Sequence, residues 1–396
     1  MPQDPILSAA QREKHPGLPL YSLHLDLIRG LAAFLVFVGH LRLIVTGHTG
    51  NVTNGETPGL LTHPVHATGF GHTAVVVFFV LSGYLVGGTV VRDLARGSFS
   101  WVKYAFRRLS RLWTVLIPTL MIGFFIDAIS THCFATTRVV SQGLFTEGFH
   151  TPGIGIFLQY ISFLQSIARL NIITYGTNVA LWSLSNEFWY YLLFPMLAVA
   201  LFGKRTGWLA RVALLLVAGF LLWFVGTRIS GYFLLWLCGV LAYIVPAKIP
   251  TRFQSAATIV LALQFIVVLV SMRFIPTEGF TTDALISFSF TLMLYAILHQ
   301  VGPASASLYS RFAHFISFPS YSLYATHVPV CILFAAGCEA FFPSLFRHAG
   351  LATAAVGASV LVYSGIFYLI FERNTDRIRR FAEAHLLRQP ATPHPS

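Results

Sequence analysis

Charged residues are scarce in this 396-residue chain, since Asp, Glu, Lys and Arg make up 10% of it, against roughly 25% in an average soluble domain. Such a chain has too little polar surface to cover a water-soluble fold. Disorder is excluded as well, because disordered chains are poor in aromatic residues, whereas this chain has 36 Phe, 15 Tyr and 7 Trp. With 56% apolar residues and a mean hydropathy of +0.71, the composition predicts a protein that lies in membrane lipid.

Acidic residues are scarcer than basic ones, 14 against 26, which gives a formal net charge of +12. Such an excess is typical of proteins that bind nucleic acid or an anionic membrane leaflet, so the position of the charges must decide. With the amino terminus placed in the cytoplasm, 20 of the 26 Lys and Arg residues fall in cytoplasmic connections. This asymmetry predicts that both termini are cytoplasmic and that the number of spans is even. It also explains the basic charge without nucleic acid as a partner.

Cysteine is rare as well, with four residues in the chain. Cys331 and Cys338 lie seven residues apart on one apolar run, so in a helix their Cα atoms are about 10 Å apart. That separation is too large for a disulfide. Cys133 and Cys238 form no spacing that is typical of metal sites. We therefore expect neither a disulfide framework nor a metal site.

Long apolar runs are what the chain has instead. Runs of about 18 to 25 mostly apolar residues are long enough to cross a bilayer as helices. The first run follows a polar segment and lacks a small-residue cleavage pattern, so we expect a retained helix rather than a signal peptide. We predict an all-α integral membrane protein, a bundle of about ten transmembrane helices. The predicted spans are residues 27–46, 70–90, 112–130, 179–202, 208–225, 231–247, 254–272, 282–299, 318–342 and 351–371.

The remaining segments lie outside the bundle. We expect residues 1–24 to form a cytoplasmic segment, residues 25–372 to form the transmembrane domain, and residues 373–396 to form a basic, partly disordered cytoplasmic tail. The longest connection is residues 131–178. Within it, bulky apolar residues over 155–167 indicate an interfacial amphipathic helix. This connection is interpreted either as a lid over a substrate or as a structured plug.

Ionisable side chains inside a span are costly, so each is a functional candidate. Arg29 and His40 lie eleven residues apart in the first span, on one helix face and about 16 Å from each other. An imidazole can take up and return a proton near neutral pH, as a general base requires. The alternative is a structural histidine bonded across helices. His327 in the ninth span is a second intramembrane imidazole with the same two interpretations.

Glu187 is the one carboxylate placed well inside an apolar run. Glu187 and His40 lie on predicted helices of opposite direction, each about two turns below the same surface, so we predict that they pair. The carboxylate would hold the imidazole in one tautomer and stabilise the imidazolium. The alternative is that Glu187 pairs with an arginine and holds helices together.

Three arginines, Arg107, Arg108 and Arg111, precede the third predicted span. If the helix starts early, Arg111 shares a face with its two neighbours at helical spacings of four and three. Composition favours the interpretation that these residues anchor the protein at lipid headgroups. The alternative is a clamp for a polyphosphate, which planar guanidinium groups bind well.

Five short segments occur in a characteristic order: residues 25–33 (LDLIRGLAA) continuing to His40, residues 77–84 (VFFVLSGY), Arg108 with Arg111, residues 182–188 (WSLSNEF) and residues 320–329 (SYSLYATHVP). Together they resemble the membrane acyltransferase-3 family, the bacterial enzymes that O-acetylate exopolysaccharide, lipopolysaccharide O-antigen, Nod factor and related glycans. The resemblance covers about residues 20–380.

The resemblance implies a membrane O-acyltransferase of the bacterial cytoplasmic (inner) membrane. Acyl-CoA, first of all acetyl-CoA, would be the donor substrate on the cytoplasmic side, with no tightly bound cofactor, and a glycan or glycolipid hydroxyl would be the acceptor. The family's essential histidine corresponds to His40 and its fourth-span acid to Glu187. The resemblance favours acyl-CoA binding over lipid anchoring for the arginines. The implied acyl-CoA ligands are Arg29, Arg108, Arg111 and Arg107, and the candidates for acceptor binding or support are Ser183, Asn186, Tyr321 and His327.

Two other classes of function suit the same pattern. A transporter or flippase for a glycan or lipid intermediate would also place polar groups near the midplane of a ten-helix bundle. A structural partner in a polysaccharide synthesis complex would tolerate substitution of the intramembrane histidine and glutamate. The aromatic residues Trp182, Trp189 and Tyr190 either stack on sugar rings or pack in the bundle, and packing is favoured.

Overall fold

The regular structure of this protein is helical wherever it is described. The computed structural model describes residues 20–46, 64–142, 153–246, 249–272, 279–300 and 308–386. Helices suit a bilayer because every backbone N–H and C=O finds its partner within the segment. The α-helices, labelled α1 to α15 in chain order, are Leu20–Thr46, Pro64–Ser82, Gly88–Ala95, Trp101–Cys133, Arg138–Ser141, Ile154–Ile161, Trp182–Phe202, Trp208–Ile244, Thr251–Ser271, Phe280–Ile297, Leu308–Ser317, Ser320–Phe341, Pro343–Arg347, Ala349–Ile370 and Thr375–Leu386.

Eight helical segments in the described ranges are long and apolar enough to cross a membrane. One of them joins α2 to α3 through the π-helical turn Gly83–Gly87. The 21-residue helix α7 adds a further crossing. Helix α8 has 37 residues, too many for one crossing of a hydrocarbon layer about 30 Å thick.

Helix α8 is broken at Gly226, whose φ of 84° and ψ of 174° are not helical. Only residues 203–207 separate α7 from α8, so α8 starts where α7 ends. Just after the break, the guanidinium of Arg228 lies 5.0 Å from the ring of Trp182, at the start of α7. Trp236 then packs further along α7. The chain therefore turns back at the break, and the described residues contain ten crossings, as predicted.

Helix α4 starts at Trp101, eleven residues before the predicted span. The side chain of Ser100 accepts a hydrogen bond from the backbone N–H of Lys103, the usual way to satisfy a free N–H group at a helix start. The early start places the three arginines of this region inside the helix. Arg108 and Arg111 share its buried face, whereas Arg107 is exposed.

The predicted amphipathic helix over residues 155–167 is wrong in its second half. Helix α6 ends at Ile161, and Phe163 has a φ of 58°, which a helix cannot accommodate. The ring of Phe163 is fully buried, and its carbonyl oxygen accepts a hydrogen bond from the indole of Trp189 at 3.0 Å. Burial of this aromatic ring ends the helix. The part of the long connection that follows α6 therefore packs as a plug against the start of α7, and residues 143–152 lie outside the described ranges.

Helices α2 and α8 approach each other closely at two glycines. A Cβ on Gly83 would overlap the backbone of Trp236, and a Cβ on Gly239 would overlap the backbone of Val80. Small residues of this kind allow membrane helices to pack backbone against backbone. The close approach places Ser82, the last residue of α2, against the centre of the bundle.

Candidate functional site

Helix α1 carries polar side chains of two kinds. Arg29 lies near its start and His40 eleven residues later, about 16 Å away by helical rise. Both side chains are partly buried. We call the surroundings of Arg29, Arg108 and Arg111 the arginine end, and the surroundings of His40, His72 and His327 the histidine end.

The imidazole of His40 is hydrogen-bonded to that of His327, with 2.9 Å between His40 Nδ1 and His327 Nε2. His327 is fully buried, and its Nδ1 lies 3.0 and 2.9 Å from the carbonyl oxygens of Leu323 and Tyr324. A carbonyl oxygen only accepts, so His327 Nδ1 carries the hydrogen and Nε2 of the neutral ring accepts one from His40 Nδ1. In this tautomer His40 Nε2 is unprotonated, as a general base requires.

His40 lines a cavity of about 160 Å³, together with His72, Trp182 and Tyr324. Cavities of about this volume in protein interiors hold one benzene-sized ring. The cavity is therefore large enough for one six-membered ring beside the two imidazoles. Its lining comes from α1, α2, the start of α7 and α12.

Glu187 lies in a different network, which joins α7 to α2. Its carboxylate accepts hydrogen bonds from the hydroxyl of Ser82 at 2.7 Å and from the hydroxyl of Tyr191. It also interacts electrostatically with Arg108 and Arg111. Of the two interpretations of Glu187, this arrangement agrees with a role in holding helices together, here through hydroxyl groups of α2 and α7.

The predicted pair of Glu187 and His40 is therefore wrong, because the imidazole is bonded to His327 and the carboxylate to other groups. The physical reason is depth. Trp182 lines the cavity beside His40, and Glu187 follows it by five residues on α7, which places the carboxylate about 7 Å further along the helix. The acid and the histidine therefore belong to two separate polar sites.

Arg108 is buried although it is charged. Its guanidinium carbon lies 5.5 Å from the ring centre of Tyr104 and 5.7 Å from that of Tyr191, within the range of cation–π attraction. Among the described residues, its Nε has no hydrogen-bond partner. An unpaired buried donor costs about 1–3 kcal/mol, so an anionic ligand at this point would be stabilised.

Two further arginines converge on the same end. Arg111 and Arg29 both interact electrostatically with the partly buried carboxylate of Glu372, and Arg29 also pairs with Asp26 at 3.4 Å. Glu372 accepts hydrogen bonds from the backbone N–H and the hydroxyl of Ser322, at 3.0 and 2.6 Å. These bonds tie the end of α14 to the start of α12, so each arginine has a fixed carboxylate nearby.

The other candidates divide between the two ends. Tyr321 interacts electrostatically with Arg111 at the arginine end. The hydroxyls of Ser183 and Tyr324 are 2.5 Å apart beside the cavity. Asn186 is fully buried. Of the three aromatic residues considered for sugar stacking, Trp182 lines the cavity, whereas the other two, Trp189 and Tyr190, are buried in the core.

The sequence did not identify a histidine–carboxylate pair at the histidine end. His72 Nε2 lies 3.0 and 2.8 Å from the two carboxylate oxygens of Asp283, and the hydroxyl of Tyr232 donates to the same carboxylate at 2.6 Å. The side chain of Asp283 is 6% exposed and that of His72 is 43% exposed. Alternation of the predicted spans puts His72 and Asp283 near the same surface. This shared depth is the one sign of the pair in the sequence. Asp283 lies at a predicted span boundary, so it does not stand out as an intramembrane carboxylate.

Comparison with known proteins identifies the family of this chain. A family model described as an acyltransferase domain, that of acyltransferase 3, matches residues 23–370. An uncharacterized protein of Haemophilus influenzae is 26% identical over 131 residues, which is 32% of this chain, and the chain spans 49% of the length of that relative. No solved structure matches the chain significantly. Because the family match runs from α1 to the end of α14, over most of the chain, the chain belongs to the acyltransferase 3 family, and its long apolar helices make it a multi-pass membrane protein.

Proposed function

We propose that this acyltransferase is an O-acetyltransferase that moves the acyl group of acetyl-CoA from the cytoplasmic side to a hydroxyl of a glycan or glycolipid. The observation that carries the proposal is the hydrogen bond from His40 Nδ1 to His327 Nε2 at the wall of a cavity. It leaves His40 Nε2 as a proton acceptor where a substrate hydroxyl has room to bind.

The arginine end would face the cytoplasm of a bacterium, with the protein in the inner membrane. The excess of Lys and Arg in the connections on that side supports this orientation. Ten crossings return the chain to the side on which it began. Residues 1–24 and 373–396 would then be cytoplasmic segments on either side of the transmembrane domain of residues 25–372.

The donor phosphates would bind among the arginines of the arginine end. Within the described residues Arg108 Nε has no hydrogen-bond partner there, and Arg29 and Arg111 lie near the same carboxylate, that of Glu372. Guanidinium groups bind phosphate oxygens through paired N–H donors. The exposed Arg107 would contribute only at the entrance. The acyl thioester would then lie about 16 Å away by helical rise, with the pantetheine arm extended beside α1.

In the reaction, His40 Nε2 takes the proton of the acceptor hydroxyl while that oxygen attacks the thioester carbonyl carbon. The carbon–sulfur bond breaks, and the CoA sulfur leaves with the proton that the imidazole held. His327 Nε2 accepts the hydrogen bond of His40 Nδ1 throughout, which stabilises the imidazolium. His327 thereby fills the orienting role that the sequence suggested for Glu187.

The test is transfer of labelled acetyl from acetyl-CoA by the full-length protein in liposomes that contain a membrane glycan fraction of the source organism. We expect His40→Gln to abolish transfer at normal protein abundance. Transfer at the parent rate by that variant would remove His40 from the chemistry. Movement of glycan across sealed liposomes without acetylation would favour the transporter instead.

A second arm tests the donor site. Arg108→Ala and Arg111→Ala are expected to raise the half-saturating acetyl-CoA concentration by about tenfold or more, since each removes a charged hydrogen-bond donor. The exposed neighbour Arg107→Ala is the matched control and is expected to change it little. Equal values for all three variants would favour lipid anchoring.

A further inference from the structure

A second imidazole, that of His72, lines the cavity beside His40. In the described part of the chain, the hydrogen bonds of this ring all involve Nε2, which contacts Asp283 at 3.0 and 2.8 Å and the hydroxyl of Tyr232 at 3.3 Å. A carboxylate only accepts, so Nε2 carries a hydrogen and the neutral ring keeps Nδ1 as an acceptor. Asp283 therefore sets the tautomer of His72, as His327 does for His40.

Three spans hold this pair in place. His72 comes from α2, Asp283 from α10 and Tyr232 from α8, and the Tyr232 hydroxyl donates to Asp283 at 2.6 Å. The ring of His72 lies within 14° of parallel to that of Trp182, with centres 6.3 Å apart. The carboxylate is almost completely buried while the imidazole is 43% exposed. An imidazole that is exposed and whose Nε2 is held by Asp283 is suited to bind a ligand.

We propose that His72 binds a second hydroxyl of the acceptor, next to the hydroxyl that His40 activates. This inference rests on the proposed function. The cavity has room for about one six-membered ring, both imidazoles lie on its wall, and each neutral ring has one acceptor nitrogen. A sugar ring or cyclic polyol with two hydroxyls satisfies both nitrogens, whereas an alcohol with a single hydroxyl satisfies one. The acceptor subsite therefore selects for a polyhydroxylated ring.

The first experiment separates acceptor binding from donor binding. Transfer of labelled acetyl is measured for the full-length protein in liposomes, with the membrane glycan fraction and acetyl-CoA varied in turn. We expect His72→Ala to raise the half-saturating glycan concentration about tenfold, because it removes one hydrogen bond to the acceptor. The half-saturating acetyl-CoA concentration should stay the same. Asp283→Asn should act in the same direction but less, because the amide permits the other tautomer of His72.

The matched control is His348→Ala, since His348 is exposed in the connection between α12 and α14, beyond the end of α12 that is remote from Glu372. In this control variant, the half-saturating concentrations of glycan and of acetyl-CoA should equal those of the parent protein. A parent-like glycan dependence of His72→Ala would overturn the inference while the proposed function stood. Equal losses for glycan and donor would also overturn it, because a purely structural role acts on both substrates.

The second experiment needs no turnover. Diethyl pyrocarbonate modifies neutral imidazole nitrogens, and peptide mass spectrometry follows His72 and His348 separately in the parent protein. We expect the glycan fraction to slow modification of His72 and not of His348, and acetyl-CoA alone to slow neither. An unchanged rate at His72 in the presence of glycan overturns the inference. If the parent protein transfers no acetyl but glycan still protects His72, the proposed function fails and the binding site stands.

Discussion

The two ends of the bundle stabilise polar groups in opposite ways. At the arginine end, buried guanidiniums such as that of Arg108 lie among carboxylates and tyrosine rings, so the interactions involve full charges. At the histidine end, His40 and His327 are joined by a hydrogen bond between neutral rings, and Asp283 is bonded to His72. Charge is what a phosphate-rich donor needs, and a neutral ring is what proton transfer needs.

This contrast has a consequence for helix α1, which contributes to both ends. A positive guanidinium beside His40 would keep the resting imidazole unprotonated. The same charge would destabilise the imidazolium that forms in the proposed reaction. The helix keeps Arg29 about 16 Å from His40 by helical rise, a distance at which the interaction between two charges is about a quarter of its value at 4 Å. One helix can therefore carry the proposed donor-binding charge and the proposed general base with little mutual disturbance.

Among the residues that support the two ends, the largest expected effect is that of His327→Ala, which removes the hydrogen bond to His40. His40 would lose the imidazole that accepts its hydrogen bond and would keep the backbone of Val36 as a partner. The competing tautomer, with the hydrogen on the proposed catalytic Nε2, would then be more populated. We expect the rate of acetyl transfer to fall about 100-fold or more, since general base catalysis contributes about 10²–10⁴. The measurement is the rate at saturating glycan and acetyl-CoA, normalised to protein abundance.

His327→Gln is the conservative control, because its amide oxygen can accept the same hydrogen bond. It should retain activity within about tenfold of the parent, as expected when one neutral hydrogen bond is weakened. If the alanine variant is as active as the glutamine variant, His327 does not orient His40 and is only a packing residue. Half-saturating acetyl-CoA should be the same in both variants.

The features that the sequence predicted well are those that the bilayer imposes. Long apolar runs must be helices, so ten spans were expected, and the pair of runs separated near Gly226 corresponds to the two halves of α8. The early start of α4, which brings Arg108 and Arg111 onto one face, depends on the capping side chain of Ser100. The short helix α6 ends where Phe163 enters the core, and a helical pattern of apolar residues does not reveal such a turn.

The side-chain contacts that the sequence did not predict depend on which helices are neighbours. Depth along a span can be read from residue spacing, but the partner at that depth cannot. His40 and Glu187 were placed at equal depth, whereas the structure pairs His40 with His327 on α12 and Glu187 with groups one to two turns deeper. His72 and Asp283 are 211 residues apart in the chain. Only the packing of α2 against α10 brings them together.

Glu187→Gln is the next largest change, and it tests whether Glu187 belongs only to the arginine end. The amide keeps an acceptor for Ser82 and Tyr191 but removes the negative charge near Arg108 and Arg111. We expect the free energy of unfolding to fall by about 1–3 kcal/mol, the usual value for hydrogen bonds and contacts of charged groups. Thermal or denaturant unfolding of the purified protein in detergent measures this loss.

The kinetics of the Glu187→Gln variant also test whether the two ends are independent. Since Glu187 does not contact His40, the pH dependence of the transfer rate should match that of the parent. The half-saturating acetyl-CoA concentration should fall by roughly threefold, because the arginines lose a carboxylate that competes with phosphate. A shifted pH profile with unchanged donor dependence would instead restore the pair of Glu187 and His40.

The smallest effect is expected for Ser82→Ala, at the boundary between the two ends. The hydroxyl of Ser82 donates to Glu187 at 2.7 Å and accepts from the indole N–H of Trp236 at 3.2 Å. Tyr191 still donates to Glu187 in the variant, so the carboxylate is not left unpaired. The buried indole N–H of Trp236 loses its acceptor, so the free energy of unfolding should fall by about 1 kcal/mol, the low end of the cost of an unpaired buried donor. The exposed Ser98→Ala is the control, and a Ser82→Ala variant that loses transfer completely would show that the two ends communicate through this hydroxyl.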